Sequence, residues 1–141
     1  MRESQFTATL RKELVGSLYV LKLNAAYARG VPDCYYSGSL RDLWNEHKFL
    51  PKLPPVIDLT KTDITTELQQ MWLAGRFAEG RNVGMIVGTL EGGKTHGLLL
   101  PGLEWMKPLT RDEFRSRMKN KKALAQEIIE LLGPVQGPIL P

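Results

Sequence analysis

Between Gly30 and Lys48 the chain reads Gly-Val-Pro-Asp-Cys-Tyr-Tyr-Ser-Gly-Ser-Leu-Arg-Asp-Leu-Trp-Asn-Glu-His-Lys, and no other run narrows the choice of fold so much. Aromatic and apolar residues flank a Gly/Ser turn, which predicts two short antiparallel strands, Asp33 to Tyr36 and Leu43 to Lys48. A turn centred between Ser39 and Leu40 sets Asp33 directly opposite Glu46, with Cβ atoms about 5 Å apart. Side chains alternate along a strand, so Lys48 shares the face of Glu46 while His47 points to the other. Two acids and an amine then occupy one patch. Cys34, beside Asp33 on the opposite face, reads as buried packing.

Carboxylate oxygens are the ligands that Mg²⁺ and Mn²⁺ prefer, and Mg²⁺ commonly binds through one or two carboxylates, a substrate phosphate and water. An ammonium group beside such an ion orients an attacking water and offsets charge on a phosphorane-like transition state. That is the chemistry of phosphodiester hydrolysis. An ordinary solvated hairpin accounts for the same residues, since a lone Pro-Asp or a lone acid-x-Lys means little. The site reading rests on their order and their register across one turn.

Gly-Val-Pro-Asp, a glycine-containing turn and a strand ending in Glu-x-Lys together resemble the PD-(D/E)XK nuclease superfamily. Within it the resemblance is to the small VRR-NUC and Holliday-junction-resolvase-like nucleases common in phages. Upstream, Arg2-Glu3-Ser4-Gln5-Phe6, Leu21-Lys22-Leu23-Asn24 and Arg29-Gly30 are similar to that group's first helix, with its acid, and its first strand, with its lysine. Downstream, Leu68-Gln69-Gln70-Met71-Trp72-Leu73, Gly80 and Val83 to Val87 resemble its glutamine-bearing helix and the following strand. Asn45 departs from the pattern, which places an apolar residue there. The resemblance covers roughly residues 2 to 90. It implies a metal-dependent endonuclease acting on DNA, with catalytic residues Asp33, Glu46, Lys48, Glu3 and Gln69. Asp33, Glu46 and Glu3 would hold Mg²⁺ or Mn²⁺, and Gln69 would order the site, although taken alone Gln69 reads as a surface amide.

A chain of 141 residues with 43% hydrophobic content suits one globular domain, here residues 1–132 with a tail at 133–141. No apolar run is long enough to span a bilayer, and the first residues lack the apolar core of a signal peptide. One cysteine makes no internal disulfide. These features predict a cytoplasmic protein without membrane contact, in the host cytoplasm if phage-encoded. The net charge of +4 is compatible with DNA as partner. Lys22, Tyr27, Arg29, Lys52, Arg115 and Lys119 are the candidate nucleic-acid contacts. The basic run from Arg111 to Lys122 serves equally well as a solvated helix face or as a phosphate-contacting one.

In chain order, Glu3, Phe6, Leu10 and Leu14 recur at helical spacing and predict a helix over 2–14. Glu3 at the end of that stripe is either a third carboxylate for the ion or a first-turn acid favoured by the helix dipole, with Glu13 the weaker candidate. A strand follows at 18–23. Pro51, Pro54 and Pro55 predict an exposed flap up to Thr62. A helix is expected from Asp63, with Ile64, Leu68, Met71 and Trp72 as its stripe. Asn82 to Leu90 and Thr95 to Leu100 read as strands around Glu91-Gly92-Gly93-Lys94. Gly88 to Thr95 satisfies the phosphate-loop pattern, but a β-rich continuation follows instead of a helix, so a hairpin turn is expected and no nucleotide cofactor. Thr110 and Glu113 form a capping box for one long helix, Arg111 to Leu132.

The fold class expected is therefore α/β, restriction-endonuclease-like, with a short mixed sheet of four or five strands flanked by helices. The function expected is endonucleolytic hydrolysis of DNA, structure-specific on branched DNA or site-specific as in homing enzymes. Branched substrates call for two active sites and hence a homodimer or higher oligomer. The competing class is a non-catalytic nucleic-acid-binding phage accessory protein on the same fold.

Overall fold

The structure is a computed structural model that describes residues 1–23 and 29–135. Its elements are α1 (Glu3–Leu14), β1 (Tyr19–Lys22), β2 (Cys34–Ser37), β3 (Asp42–Leu50), β4 (Val56–Ile57), α2 (Glu67–Ala78), β5 (Val83–Glu91), β6 (Lys94–Pro101), a 3₁₀ turn (Glu104–Met106), β7 (Leu109–Thr110), α3 (Arg111–Arg117), β8 (Lys119–Asn120) and α4 (Lys121–Leu132). The mixed α/β class is as expected. The main sheet has six strands in the order β1-β2-β3-β5-β6-β8, more than the four or five anticipated, because the two-residue β8 joins its edge. β3 and β5 are parallel, linked through α2, and the other pairs are antiparallel.

Alternation along the central strands sends apolar side chains to both faces, so the sheet is covered twice. Ile86 and Leu99 face Phe6, Leu10 and Leu14 of α1 and Leu124, Ile128 and Leu132 of α4. Met85, Val87, Leu98 and Leu100 face Leu73 of α2, Trp105 of the 3₁₀ turn and Phe114 of α3. This two-sided cover explains the main error of the sequence reading. One straight helix over 111–132 cannot serve both layers. The chain leaves α3 at Met118, pairs with the sheet edge at His96 and Gly97, and restarts under an Asn120 cap whose side chain accepts from the Ala123 N–H.

Two further expectations are corrected. The proline-rich segment is no exposed flap, since Leu53, Ile57 and Leu59 are buried and β4 pairs with β7. α2 begins at Glu67 under a Thr66 cap rather than at Asp63, which rotates its inward face to Leu73 and leaves Leu68 and Met71 exposed.

The hairpin around Gly88–Thr95 is a strand pair, as expected. Gly92 and Gly93 adopt φ of 59° and 75°, the left-handed backbone of a two-residue hairpin turn, and Lys94 opens β6 rather than a helix. Lys94 is exposed, so Lys94→Ala is expected to change stability by no more than about 0.5 kcal/mol, as surface substitutions usually do. Urea denaturation checks this.

Two features place the first helix and the first hairpin. A Cβ added at Gly88 would sit 2.5 Å from the Phe6 ring, so the glycine makes the notch that seats α1 on the sheet. Gly88→Ala is expected to cost about 1–3 kcal/mol through overpacking, read as a lower urea midpoint. The second feature lies at the far end of the fold. The backbone N–H groups of Leu40 and Arg41 both donate to the Leu132 carbonyl, at 2.8 and 3.1 Å, and Ser39 donates to Gly133 at 2.8 Å. The end of α4 thus clasps the turn that joins β2 to β3.

Candidate active site

β2 pairs with β3 only from Cys34↔Asn45 to Ser37↔Asp42, the register that a turn centred between Ser39 and Leu40 requires. Continuing it by one step puts Asp33 across from Glu46. β3 runs on to Leu50, so past Asn45 its backbone N–H groups on that side face no strand. An N–H out of water needs an acceptor. The His47 N–H donates to Asp33 Oδ2 at 2.8 Å, and the Phe49 N–H lies near the Glu3 carboxylate and favours its charged form. The overhang of one strand past its neighbour is what draws two acids, from separate elements, to the same edge.

The other three side chains meet on the α2 side of β3. Lys48 Nζ lies 3.2 Å from Glu46 Oε2. Gln69 bridges them, donating from Nε2 to Glu46 Oε2 at 2.9 Å and accepting from Lys48 Nζ at 3.1 Å. Gln69 is the third residue of α2, and its Oε1 also takes the Thr66 N–H at 3.0 Å as half of a capping box. Helix start and site geometry are therefore fixed by one amide, whose orientation leaves no freedom to flip. Gln69 is no plain surface amide.

The electrostatics follow from burial. Glu46 is almost completely buried, and desolvation first, then the negative charges of Asp33 and Glu3, push its carboxyl up to about 8 against the pull of Lys48. Glu3, at the rim, is raised by partial burial and by Asp33, opposed by Lys48. For Asp33, burial pushes up, but the His47 ring and backbone N–H, with Lys48, outweigh it and hold the carboxyl below its usual value. Glu46 Oε1 is buried without a hydrogen-bond partner among the described residues. A desolvated oxygen with no donor, amid acids that raise one another's affinity for a proton, is a place where added positive charge is stabilising. Glu46 and Asp33, with Glu3 at the rim, are the residues that suit a hard divalent ion. No three Asp, Glu, His or Cys side chains among the described residues form an ion-holding group by themselves, so water and phosphate would complete the shell.

Glu13 sits 3.8 Å from Lys121, tied to α4 rather than to this patch. Of the candidate DNA contacts, Lys22 is exposed at the end of β1 and lines a cleft of about 190 Å³ with Glu3, Arg11 and Asp33. Arg29 and Lys52 are exposed. Arg115 pairs with Glu91 at 3.2 Å and Lys119 with Glu127 at 3.4 Å. Tyr27 lies outside the described residues. Sequence reasoning missed three residues: His47, which holds Asp33 through its backbone, and Tyr36 and Asn45, which meet the His47 ring. The available signal was a histidine assigned by alternation to the face opposite Glu46 and Lys48; once buried there, an imidazole needs partners.

The fold matches that of the Holliday junction resolvase Hjc from Archaeoglobus fulgidus, an archaeal hyperthermophile, with a TM-score of 0.54 over 88% of this chain and 98% of that one. The chain has a resolvase-like fold. Identity to Hjc is 12%, so the likeness is one of architecture. No family model and no curated protein matches the sequence. No helix among the described residues is long and apolar enough to cross a membrane.

Proposed function

We propose that this chain is a PD-(D/E)XK-type endonuclease that hydrolyses DNA phosphodiester bonds with Mg²⁺ or Mn²⁺, acting on branched DNA. The observation that carries this reading is the desolvated Glu46 Oε1, without a hydrogen-bond partner among the described residues, beside Lys48 and Gln69 in a fold like that of a resolvase. Glu46 and Asp33 would hold the ion, with Glu3 closing the site directly or through water. The bound ion supplies positive charge against the negative charge that builds on the scissile phosphate. Lys48 Nζ positions the attacking water and shares in offsetting that charge, held by Gln69 in a direction set by the helix cap. His47 fixes Asp33 through its backbone N–H. No side-chain nucleophile is required, so the displacement is in-line and direct. Lys22, Arg29 and Lys52 are exposed and suited to DNA phosphates, whereas Arg115 and Lys119 would first have to leave surface ion pairs, which are individually weak.

Resolving a junction means cutting two strands, so the reading calls for two copies of residues 1–132, each a single nuclease domain, working in a cytoplasmic homodimer. The competing reading is a non-catalytic nucleic-acid-binding protein on the same fold.

Supercoiled plasmid and four-way junction DNA, incubated with wild type or Asp33→Ala in Mg²⁺, Mn²⁺ or EDTA, decide the matter. Cleavage by wild type with metal only, and none by Asp33→Ala, is the result expected. Nicking that survives EDTA or the substitution would end the proposal, and junction binding without cleavage in either metal would favour the non-catalytic role.

A further inference from the structure

Beneath the carboxylates, on the α1 face of the sheet, lies a polar cluster that the mechanism above leaves unused. His47, Asn45 and Tyr36 are each fully buried. Two groups converge on His47 Nε2: the Tyr36 hydroxyl at 2.8 Å and the Asn45 side-chain nitrogen at 3.4 Å. The Asn45 amide cannot be turned over, because the same nitrogen donates to the Glu46 carbonyl at 3.0 Å, a group that only accepts. Burial raises the Tyr36 phenol well above its ordinary value, so it retains its proton to give. The Asn45 nitrogen can only donate, so Nε2 accepts from it; the Tyr36 hydroxyl, which can give or take, then gives its proton to the same nitrogen, and this leaves the proton of a neutral imidazole on Nδ1. Nδ1 lies 3.6 Å from Asp33 Oδ2 and has no hydrogen-bond partner among the described residues.

We propose that Tyr36 and Asn45 lock His47 in its Nδ1–H tautomer, so that the ring N–H is aimed at Asp33 and holds that carboxylate in the orientation a divalent ion needs. At 3.6 Å the ring contact is an attraction rather than a hydrogen bond. A small turn of the carboxylate closes it. Asp33 is then held twice by one residue, through the backbone N–H at 2.8 Å and through the ring. His47 is a positioning residue, because it acts through Asp33 and touches no substrate. The cluster also gives a reason for Asn45, a polar residue where the PD-(D/E)XK pattern has an apolar one. The role of the ion rests on the nuclease reading, whereas the tautomer does not.

The first test needs neither metal nor DNA. Long-range ¹H–¹⁵N NMR of histidine-labelled, metal-free protein is expected to show His47 Nδ1 as the protonated nitrogen and Nε2 as the bare one. Tyr36→Phe is expected to make the other tautomer detectable. Wild type carrying its proton on Nε2, or Tyr36→Phe with unchanged populations, overturns the proposal. The second test compares His47→Leu with His47→Asn, whose amide nitrogen stands near the position of Nδ1. Mn²⁺ affinity, followed by electron paramagnetic resonance titration, is expected to fall about 10- to 100-fold in His47→Leu and to recover in His47→Asn. kcat should follow the affinity while KM for DNA stays unchanged. Equal losses in the two folded variants overturn the proposal. If wild type cuts no DNA, the nuclease reading fails, yet the tautomer and the Mn²⁺ titration still decide this one.

Discussion

Lys48→Met is expected to lower kcat for plasmid or junction cleavage by about 10²- to 10⁴-fold, the range associated with a positioned proton-transfer or water-orienting group, while the Kd for DNA changes little. The reasoning is geometric. Lys48 Nζ is buried and engaged by Glu46 at 3.2 Å and Gln69 at 3.1 Å, so it adds little to the hold on the flanking phosphates that Lys22, Arg29 and Lys52 would contact. Methionine keeps most of the stem's volume, and Gln69 retains its partner Glu46 and its Thr66 cap, so the fold should survive the change. Single-turnover rates with saturating metal, set beside anisotropy binding curves in Ca²⁺, separate the two quantities. A parallel loss of binding and rate would mean that Lys48 serves as a phosphate contact instead.

Glu46→Gln is expected to abolish metal-dependent cleavage and, at alkaline pH, to stabilise the protein. Burial and the neighbouring acids raise the Glu46 carboxyl from 4.5 to about 8, so the folded state holds a proton that the unfolded state has released. A group raised in this way contributes stability that is complete below the unfolded value, declines as pH climbs from 4.5 to about 8, and is gone above that. Glutamine cannot ionise and escapes the decline. At pH 9 the variant should melt about 5 °C above wild type, equivalent to roughly 1–2 kcal/mol for a chain of this size, and at pH 5 the gap should nearly close. Lys48 limits the gain, because above pH 8 it loses an ionised partner in the variant. Melting curves across pH in EDTA test this, and a gap that widens toward acid would contradict the assigned direction. Such a trade, activity lost and stability gained at one buried acid, is what a strained functional site predicts.

The contrast between what could be read from the sequence and what could not has physical causes. The register of Asp33 and Glu46 was legible because turn formers and alternation are local, and both operate within the stretch 33–46. Gly92-Gly93 likewise announced a hairpin over the competing phosphate-loop pattern. What strand reading alone could not show was that β3 overruns β2, since strand ends depend on partners, and so the capture of Asp33 and Glu3 by freed N–H groups was hidden. Gln69 resembled a surface amide because its second role depends on α2 being placed over β3. The break between α3 and α4 was hidden for a similar reason. Capping residues and helical spacing over 111–132 are consistent with one helix, and only the two-sided burial of Phe114 and Leu124 forces a crossing at the sheet edge.

The clasp between Gly133, Leu132 and the Ser39–Arg41 turn has a consequence in time as well as in space. A ribosome adds Asp33, Glu46, Lys48 and Gln69 long before it reaches residue 132. A growing chain that stops short of there possesses every candidate catalytic group and lacks the carbonyls that pin their hairpin. Closure of that turn therefore waits on the late arrival of α4, and a nascent fragment carries the candidate residues without this restraint on their hairpin.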